Sequence, residues 1–421
     1  MLAHSAILPL CAALLLAASP CAGFGQAAAS TEPDPFAALD QQPNDLARYA
    51  YLTKLMPTLD PAAKLTAEQL RASAENELGL YRDAIRDFPF DNRVAISPRM
   101  VLPQRPQWAS ANALETIVKL AGKRRIVMIN EVHHDASTRQ LTLALLPRLR
   151  ALGYRYFAAE ALDEKDPTLM QRGYPVAASG SEYLHEPLYG EIVRQAIQLG
   201  YIVVPYDSDA ESTAAREDEQ ARHLYQRVLA KDPDARLFVH AGYAHVDKAI
   251  GNLGAITPMA MRLAQLCHCD PLSIDQSQLR DIGSLWDSAY RLLAEDFQPE
   301  SPVVLVNSAH GGVWSSDPAK HDISVILPLI GQRQRPLWLT LDGQRRAVGI
   351  DVDLCRQSIP CTVEARYAAE SDEATPADRY AFLSRHARST LYLRPGAYRL
   401  RAQDLDGKTL SEQTIQVVDR H

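Results

Sequence analysis

Ionisable residues stand at the ends of successive apolar runs in this chain, and their types suit acid–base or metal chemistry. RIVMIN (125–130) opens into Glu131, Val132, His133, His134 and Asp135, and YRYFAAE (154–160) closes on Glu160. YIVVPYD (201–207) closes on Asp207, and RLFVHA (236–241) leads into Gly242, Tyr243, Ala244 and His245. A neutral imidazole can take a proton from water near neutral pH, and a carboxylate beside it can fix its tautomer or bind a cation. Glu131, His133, Glu160 and His245 would equally offer two imidazoles and two carboxylates to a divalent metal. An open position on that metal would hold a water whose pKa falls toward about 7. Arg216 could stabilise an oxyanion or orient an acidic substrate, although the charge run Arg216 to Glu219 also reads as a solvated helix face. Tyr243 or Tyr206 could supply a phenolate to haem iron, although packing in the pocket is the favoured reading of both. His240 alternates inward within its run and reads as core.

The elements that must position these groups follow from the same runs. The four apolar segments read as buried strands, with helices predicted over Thr138 to Leu152, Pro187 to Leu199, Ala210 to Ala230 and about Pro258 to Leu266. PVVLVN (302–307) continues the series as a further strand. Such alternation predicts an α/β fold with a mainly parallel sheet flanked by helices. Gly153 and Gly200, one residue beyond Leu152 and Leu199, are placed to end two of the helices. In an open parallel sheet, ligands bind at the carboxyl ends of the strands, so four strand ends would deliver their groups to one edge.

The segments I-N-E-V-H-H, A-E and H-A-G-Y-A-H, in this order after successive strands, resemble the superfamily that joins erythromycin-esterase-like enzymes, ChaN-like haem-binding lipoproteins and Tiki/TraB proteins. The resemblance covers about residues 113–330. It implies that Glu131 and His133 match the family's first glutamate and histidine, Glu160 its second acid, and His245 the histidine of a second G-x-x-H. Arg216 and Glu217 match the arginine–acid pair of the erythromycin-esterase-like helix. Asn130 stands where the family has its first glycine, and some relatives place the histidine one residue later, which leaves His133 and His134 both open as the residue facing the site. The activity implied is hydrolysis of a small ester, amide or peptide; the alternative is haem or metal carriage without turnover.

The flanks are of other kinds. Residues 1–27 carry the apolar stretch ILPLCAALLLAA followed by small residues, and are expected to be a cleaved secretory signal. This predicts a periplasmic or secreted protein, with lipidation at Cys21 disfavoured by Pro20. Residues 28–107 read as a flexible leader followed by two helices within Leu46 to Phe88 and a proline-rich linker, 98–108. Residues 332–421 consist of short alternating runs with two Asp-Gly pairs, and are expected to form a β-sandwich-like domain without catalytic residues, a candidate docking site for an envelope partner.

Length and composition bound the rest. At roughly 100 to 200 residues per domain, 421 residues predict two or three domains, and a 47% hydrophobic fraction excludes a disordered chain. With 44 Lys and Arg against 51 Asp and Glu the formal charge is -7, and no long basic run offers a footprint for nucleic acid. No segment beyond the leader approaches about 18 uninterrupted apolar residues, so no transmembrane segment is expected in the mature chain. Of the cysteines outside the leader, Cys355 and Cys361 frame a short loop and are the favoured disulfide, whereas Cys267, His268 and Cys269 could pair or clip a metal.

Overall fold

The computed structural model describes residues 35–90, 101–283, 288–385 and 387–419. The expected signal and the lipidation position Cys21 lie outside the described residues. Helices α1 (Asp45–Leu55), α2 (Pro61–Glu77) and α3 (Tyr81–Asp87) come first. There are thus three helices within Leu46 to Phe88 rather than two, because Pro57 and Pro61 bound one break and Gly79, at φ +73°, makes the other. Packing reaches into the expected leader as well: Leu39 is fully buried against Leu52 and Ala67.

The remaining helices are α4 (Ala113–Ala121), α5 (Gln140–Ala151), the single turn α6 (Leu169–Arg172), α7 (Pro187–Gln198), α8 (Thr213–Leu224), α9 (Met259–Cys267) and α10 (Ala289–Phe297). The first eight strands are β1 (Trp108–Asn112), β2 (Ile126–Glu131), β3 (Tyr156–Ala159), β4 (Ile202–Pro205), β5 (Leu237–Gly242), β6 (Leu272–Asp275), β7 (Val303–Asn307) and β8 (Ile323–Ser324). Six of them form one parallel sheet in the order β4-β3-β5-β2-β6-β8. β7 is not in it and pairs antiparallel with β1. An apolar run of five residues reads alike in either sheet, and LSID, too short to stand out in the sequence, takes the place beside β2. Gly153 and Gly200 end α5 and α7 with left-handed φ values of +88° and +77°.

Side chains alternate across this sheet into two cores. Val127, Ile129, Phe157, Val203 and Phe238 face α4, α5 and α7, whereas Met128, Ala158, Val204, Val239 and Ala241 face α8 and α9. Among the described residues no helix is long and apolar enough to cross a membrane.

Residues 346–417 add β9 (Arg346–Asp351), β10 (Cys361–Tyr367), β11 (Asp378–Phe382), β12 (Arg388–Leu393), β13 (Gly396–Gln403) and β14 (Thr409–Val417). They make two antiparallel sheets, β11-β10-β13-β14 and β12-β9, over one shared core. WLTLDGQ is not a strand: Leu337–Thr340 is a 3-10 turn, and only the second Asp-Gly pair, at Asp406, makes a hairpin. Disulfides join Cys355 to Cys361 and Cys267 to Cys269, so the second pair is a covalent link rather than a metal clip.

Candidate functional site

The strand ends converge as the topology requires. β3, β5 and β2 are neighbours, with Glu131 level with Gly242 and Ala159 level with His240. By alternation Glu131 and His240 emerge on the α5–α7 face, and Glu160 emerges on the α8–α9 face. The site therefore has two halves, one on each side of the sheet.

In the first half Glu131 is the hub. Its carboxylate accepts from Arg139 Nε, and from Arg139 Nη2 at 3.2 Å; His133 Nδ1 is 2.9 Å from Oε1 and His240 Nε2 3.2 Å from Oε2. Burial alone would raise the pKa of Glu131, but Arg139 and the two histidines hold it well below the usual carboxylate range. An ionised carboxylate only accepts, so in its neutral form each histidine must present N–H to it. His133 then carries its proton on Nδ1 and keeps the Nε2 lone pair, while His240 accepts at Nδ1 from Thr142 Oγ1 at 3.0 Å. Arg139 is fully buried, and its Nη1 donates to Glu186 Oε2 at 2.9 Å. Glu186 also accepts from the Tyr81 hydroxyl at 2.9 Å and caps α7 through Tyr189 N.

The His133 ring crosses from this half to the other. It stacks on Tyr183 at 4.0 Å, meets the edge of Tyr243 at 5.0 Å, and retains 13% side-chain exposure. It can lie there because Gly242 has no side chain. A Cβ at that position would be 2.5 Å from His133 Cε1, 2.6 Å from Nε2 and 3.2 Å from Glu160 Oε2. Nε2 is thus turned toward Gly242 and Glu160. The glycine of the Gly242-to-His245 element is needed for that approach, its φ being ordinary.

In the second half Glu160 accepts from Gly242 N through Oε2 and from Arg216 Nη2 at 2.8 Å through Oε1, which is also 3.3 Å from His245 Nε2. Burial opposes its charge, yet His245 and Arg216 hold its pKa well below the usual range. His245 Nδ1 lies 2.6 Å from Glu217 Oε1, a charge contact without hydrogen-bond alignment. Burial would lower the pKa of His245, but Glu217 and Glu160 push it up to about 10, so the ring is an imidazolium at neutral pH. Asp207 completes this half by accepting from Arg216 Nε at 2.9 Å, from Nη2 at 2.8 Å, and from Gln220 Nε2 at 2.6 Å.

His133, rather than His134, faces the site. His134 is buried on the other side of the loop, stacked on Phe88 at 3.5 Å, with the Tyr243 hydroxyl 3.3 Å from its Nδ1. Burial, followed by the charge of Arg280, holds its pKa well below the usual value. Asn130 stays in the strand and donates to Asp275 Oδ1 of β6 at 2.8 Å and to Tyr243 O, in the turn after β5, at 2.9 Å, so no left-handed turn is made there. Tyr206 sits in the core with its hydroxyl on His240 O at 3.1 Å. The sequence reading missed Arg139, Glu186 and Tyr183, and took His240 for core alone.

A common metal position is not formed by the four strand-end residues. Among the described residues, the only three His, Cys, Asp or Glu side chains with ligand atoms all within 4.8 Å are Asp45, Glu77 and His185. Both His245 nitrogens face carboxylates, and burial pushes the Tyr243 hydroxyl pKa up, which opposes the phenolate a haem iron would need.

No family model matches the sequence, and no curated protein matches it. Among solved structures, the type III effector HopBA1 aligns at 15% identity over 56% of this chain and 99% of its own, with a TM-score of 0.32. Two structures described as bacterial protein toxins align at 13% and 15% identity over 52% and 51% of this chain, with TM-scores of 0.30 and 0.29. The alignments take in 54% and 52% of those chains, so this chain spans about half their length. The chemistry of the site rests on its own geometry.

Proposed function

We propose that the chain is a hydrolase of a small ester, amide or peptide in which His133 activates water without a metal. The observation that carries the reading is the 2.9 Å contact of His133 Nδ1 with Glu131, which leaves Nε2 as the basic atom beside Glu160 and Gly242. Nε2 takes a proton from water as its oxygen attacks the carbonyl carbon, and returns it to the leaving group as that bond breaks. Glu131, fixed by Arg139, stabilises the transient imidazolium. Arg216 and His245 place positive charge on the far side of Glu160, where they support binding of a polar substrate. The pairing of both His245 nitrogens speaks against haem carriage as the better reading. We also place the chain in the superfamily of erythromycin-esterase-like, ChaN-like and Tiki/TraB proteins, on Glu131, His133, Glu160 and the Gly242-to-His245 element. Two disulfides and the leader-like first residues support an oxidising compartment outside the cytoplasm.

The test is turnover of nitrophenyl esters, nitroanilides and short peptides by the purified protein with and without a chelator. We expect turnover that survives chelation and falls by about 100-fold or more in His133→Ala and Glu131→Gln. No turnover across the panel, or full turnover by His133→Ala, would overturn the reading.

A further inference from the structure

The N-terminal helices meet the α/β unit at a second group of ionisable side chains. Asp45 opens α1, Glu77 closes α2, and His185 ends the turn Glu182–His185. Each offers one ligand atom, and these atoms lie within 4.8 Å of one another. His185 Nδ1 is 2.7 Å from Asp45 Oδ1. Glu77 is 2% exposed, and its Oε2 is buried with no hydrogen-bond donor among the described residues. A buried carboxylate oxygen without a donor is unfavourable unless a cation or proton completes it. Arg379 Nη1 donates to Asp45 Oδ2 and Arg48 Nη1 is 4.0 Å from Asp45 Oδ1, while Glu77 feels the charge of Arg48 without a hydrogen bond from it to Oε2.

We propose that Asp45, Glu77 and His185 bind one divalent transition-metal ion of the zinc class. The donor set decides the class. Mg²⁺ and Ca²⁺ depend on several oxygen ligands and on their charge, which Arg48 and Arg379 offset here, whereas an imidazole with two carboxylates suits Zn²⁺. The ion would brace the loop of His133 from two sides. Asn76, next to Glu77, donates to His133 O at 3.0 Å and accepts from Ala136 N at 3.1 Å. Tyr183, two residues before His185, is the ring stacked on His133.

The experiment needs no substrate, so its failure is separate from failure of the hydrolase reading. The full chain is stripped with a chelator, dialysed, and given Zn²⁺; bound zinc and melting temperature are measured. One zinc per chain and a higher melting temperature are expected. Glu77→Gln, a near-isosteric change, should fold and melt as the stripped wild type does, and lose both the ion and the shift. His185→Gln should do the same, and decides the matter if Glu77→Gln does not fold. His133→Ala should keep both. Absence of bound zinc in the wild type, its retention by Glu77→Gln or His185→Gln, or its loss from His133→Ala would overturn the site.

Discussion

Gly242 is where the two faces of the sheet come into contact, and its missing side chain can be tested without touching any charge. Gly242→Ala would place a methyl group 2.5 Å from His133 Cε1 and 3.2 Å from Glu160 Oε2, so the imidazole must swing away from Glu160. Displacements of about 1 Å can cost 100-fold in rate, while overpacking of this size costs about 1–3 kcal/mol. Kinetics run beside thermal melts should therefore show turnover falling much further than stability; equal turnover would mean that His133 acts from another position. His245 makes a second prediction at this scale. Its folded pKa of about 10 stands above the ordinary value of 6.5, with Glu217, Glu160 and, through Glu160, Arg216 as the charged groups around it. A raised pKa of this sign gives stability that is complete below pH 6.5 and is lost as pH rises through 10. Buried Glu75 and Asp247, pushed up to about 8, lower stability with the same sign, but their effect ends near that pH. The diagnostic window is therefore pH 8–10. There the wild-type melting temperature should keep falling, and that of His245→Gln should be flatter; parallel slopes would remove the imidazolium from the account.

Helix α8 places its charges by helical geometry. Arg216 and Gln220, four residues apart on one face, both reach Asp207, while Glu217, about 100° around the helix, points to His245. Glu217 Oε2 also accepts from Met259 N at 2.6 Å, at the N-terminus of α9, where Pro258 supplies no side-chain cap. A carboxylate is favourable at that end of a helix. One side chain thus fixes both the site histidine and the start of α9. Glu217→Ala should cost up to about 3–5 kcal/mol by removing one of the two carboxylates that pair the buried His245, together with the acceptor of Met259 N. Glu217→Gln should recover part of this by keeping an oxygen for Met259 N, with a lower His245 pKa in an NMR titration. If the two variants melt alike, the helix contact carries no weight. The same level shows what could be read from the sequence. The strand ends were legible because apolar runs of four to six residues alternate with helices ended by Gly153 and Gly200. Arg139 was not, since it stands at the start of an amphipathic segment where an arginine normally meets water; the signal was its place among Leu141, Leu143, Leu145 and Leu146, whose packing buries it. His240 was read as inward, which is right, but at the carboxyl end of β5 inward means against Glu131. The antiparallel pairing of β7 was illegible because strand direction leaves no mark in an apolar run.

The molecule as a whole is tied together by buried charges between its parts, and this gives the C-terminal strands a role without any catalytic residue. Arg194 on α7 donates to Glu370 at 2.8 Å and 2.6 Å, and Glu191 accepts from the Tyr367 hydroxyl at 3.0 Å and from Arg394 at 2.6 Å. Thr375 Oγ1 donates to Leu184 O at 3.0 Å, which holds the turn carrying Tyr183 against His133. The N-terminal helices depend on the same strands: buried Arg335 donates to Gly79 O at 3.2 Å and to Arg379 O at 3.1 Å, and Arg379 pairs with Asp45. A chain ending at Gly331 would keep all the strand-end residues and lose these partners, leaving Glu191 and Arg194 with only each other. Breaking one buried pair costs about 3–5 kcal/mol, and each kcal/mol moves the melting temperature of a unit this size by about 2–4 °C. The full chain should therefore melt in one transition. The truncated chain should melt at least about 10 °C lower, with turnover lost although no residue of the site has been deleted. A truncated protein that melts as the full chain does and keeps its turnover would mean that Tyr183 and His133 hold their places without the C-terminal strands, and that the buried pairs across the seam serve attachment alone.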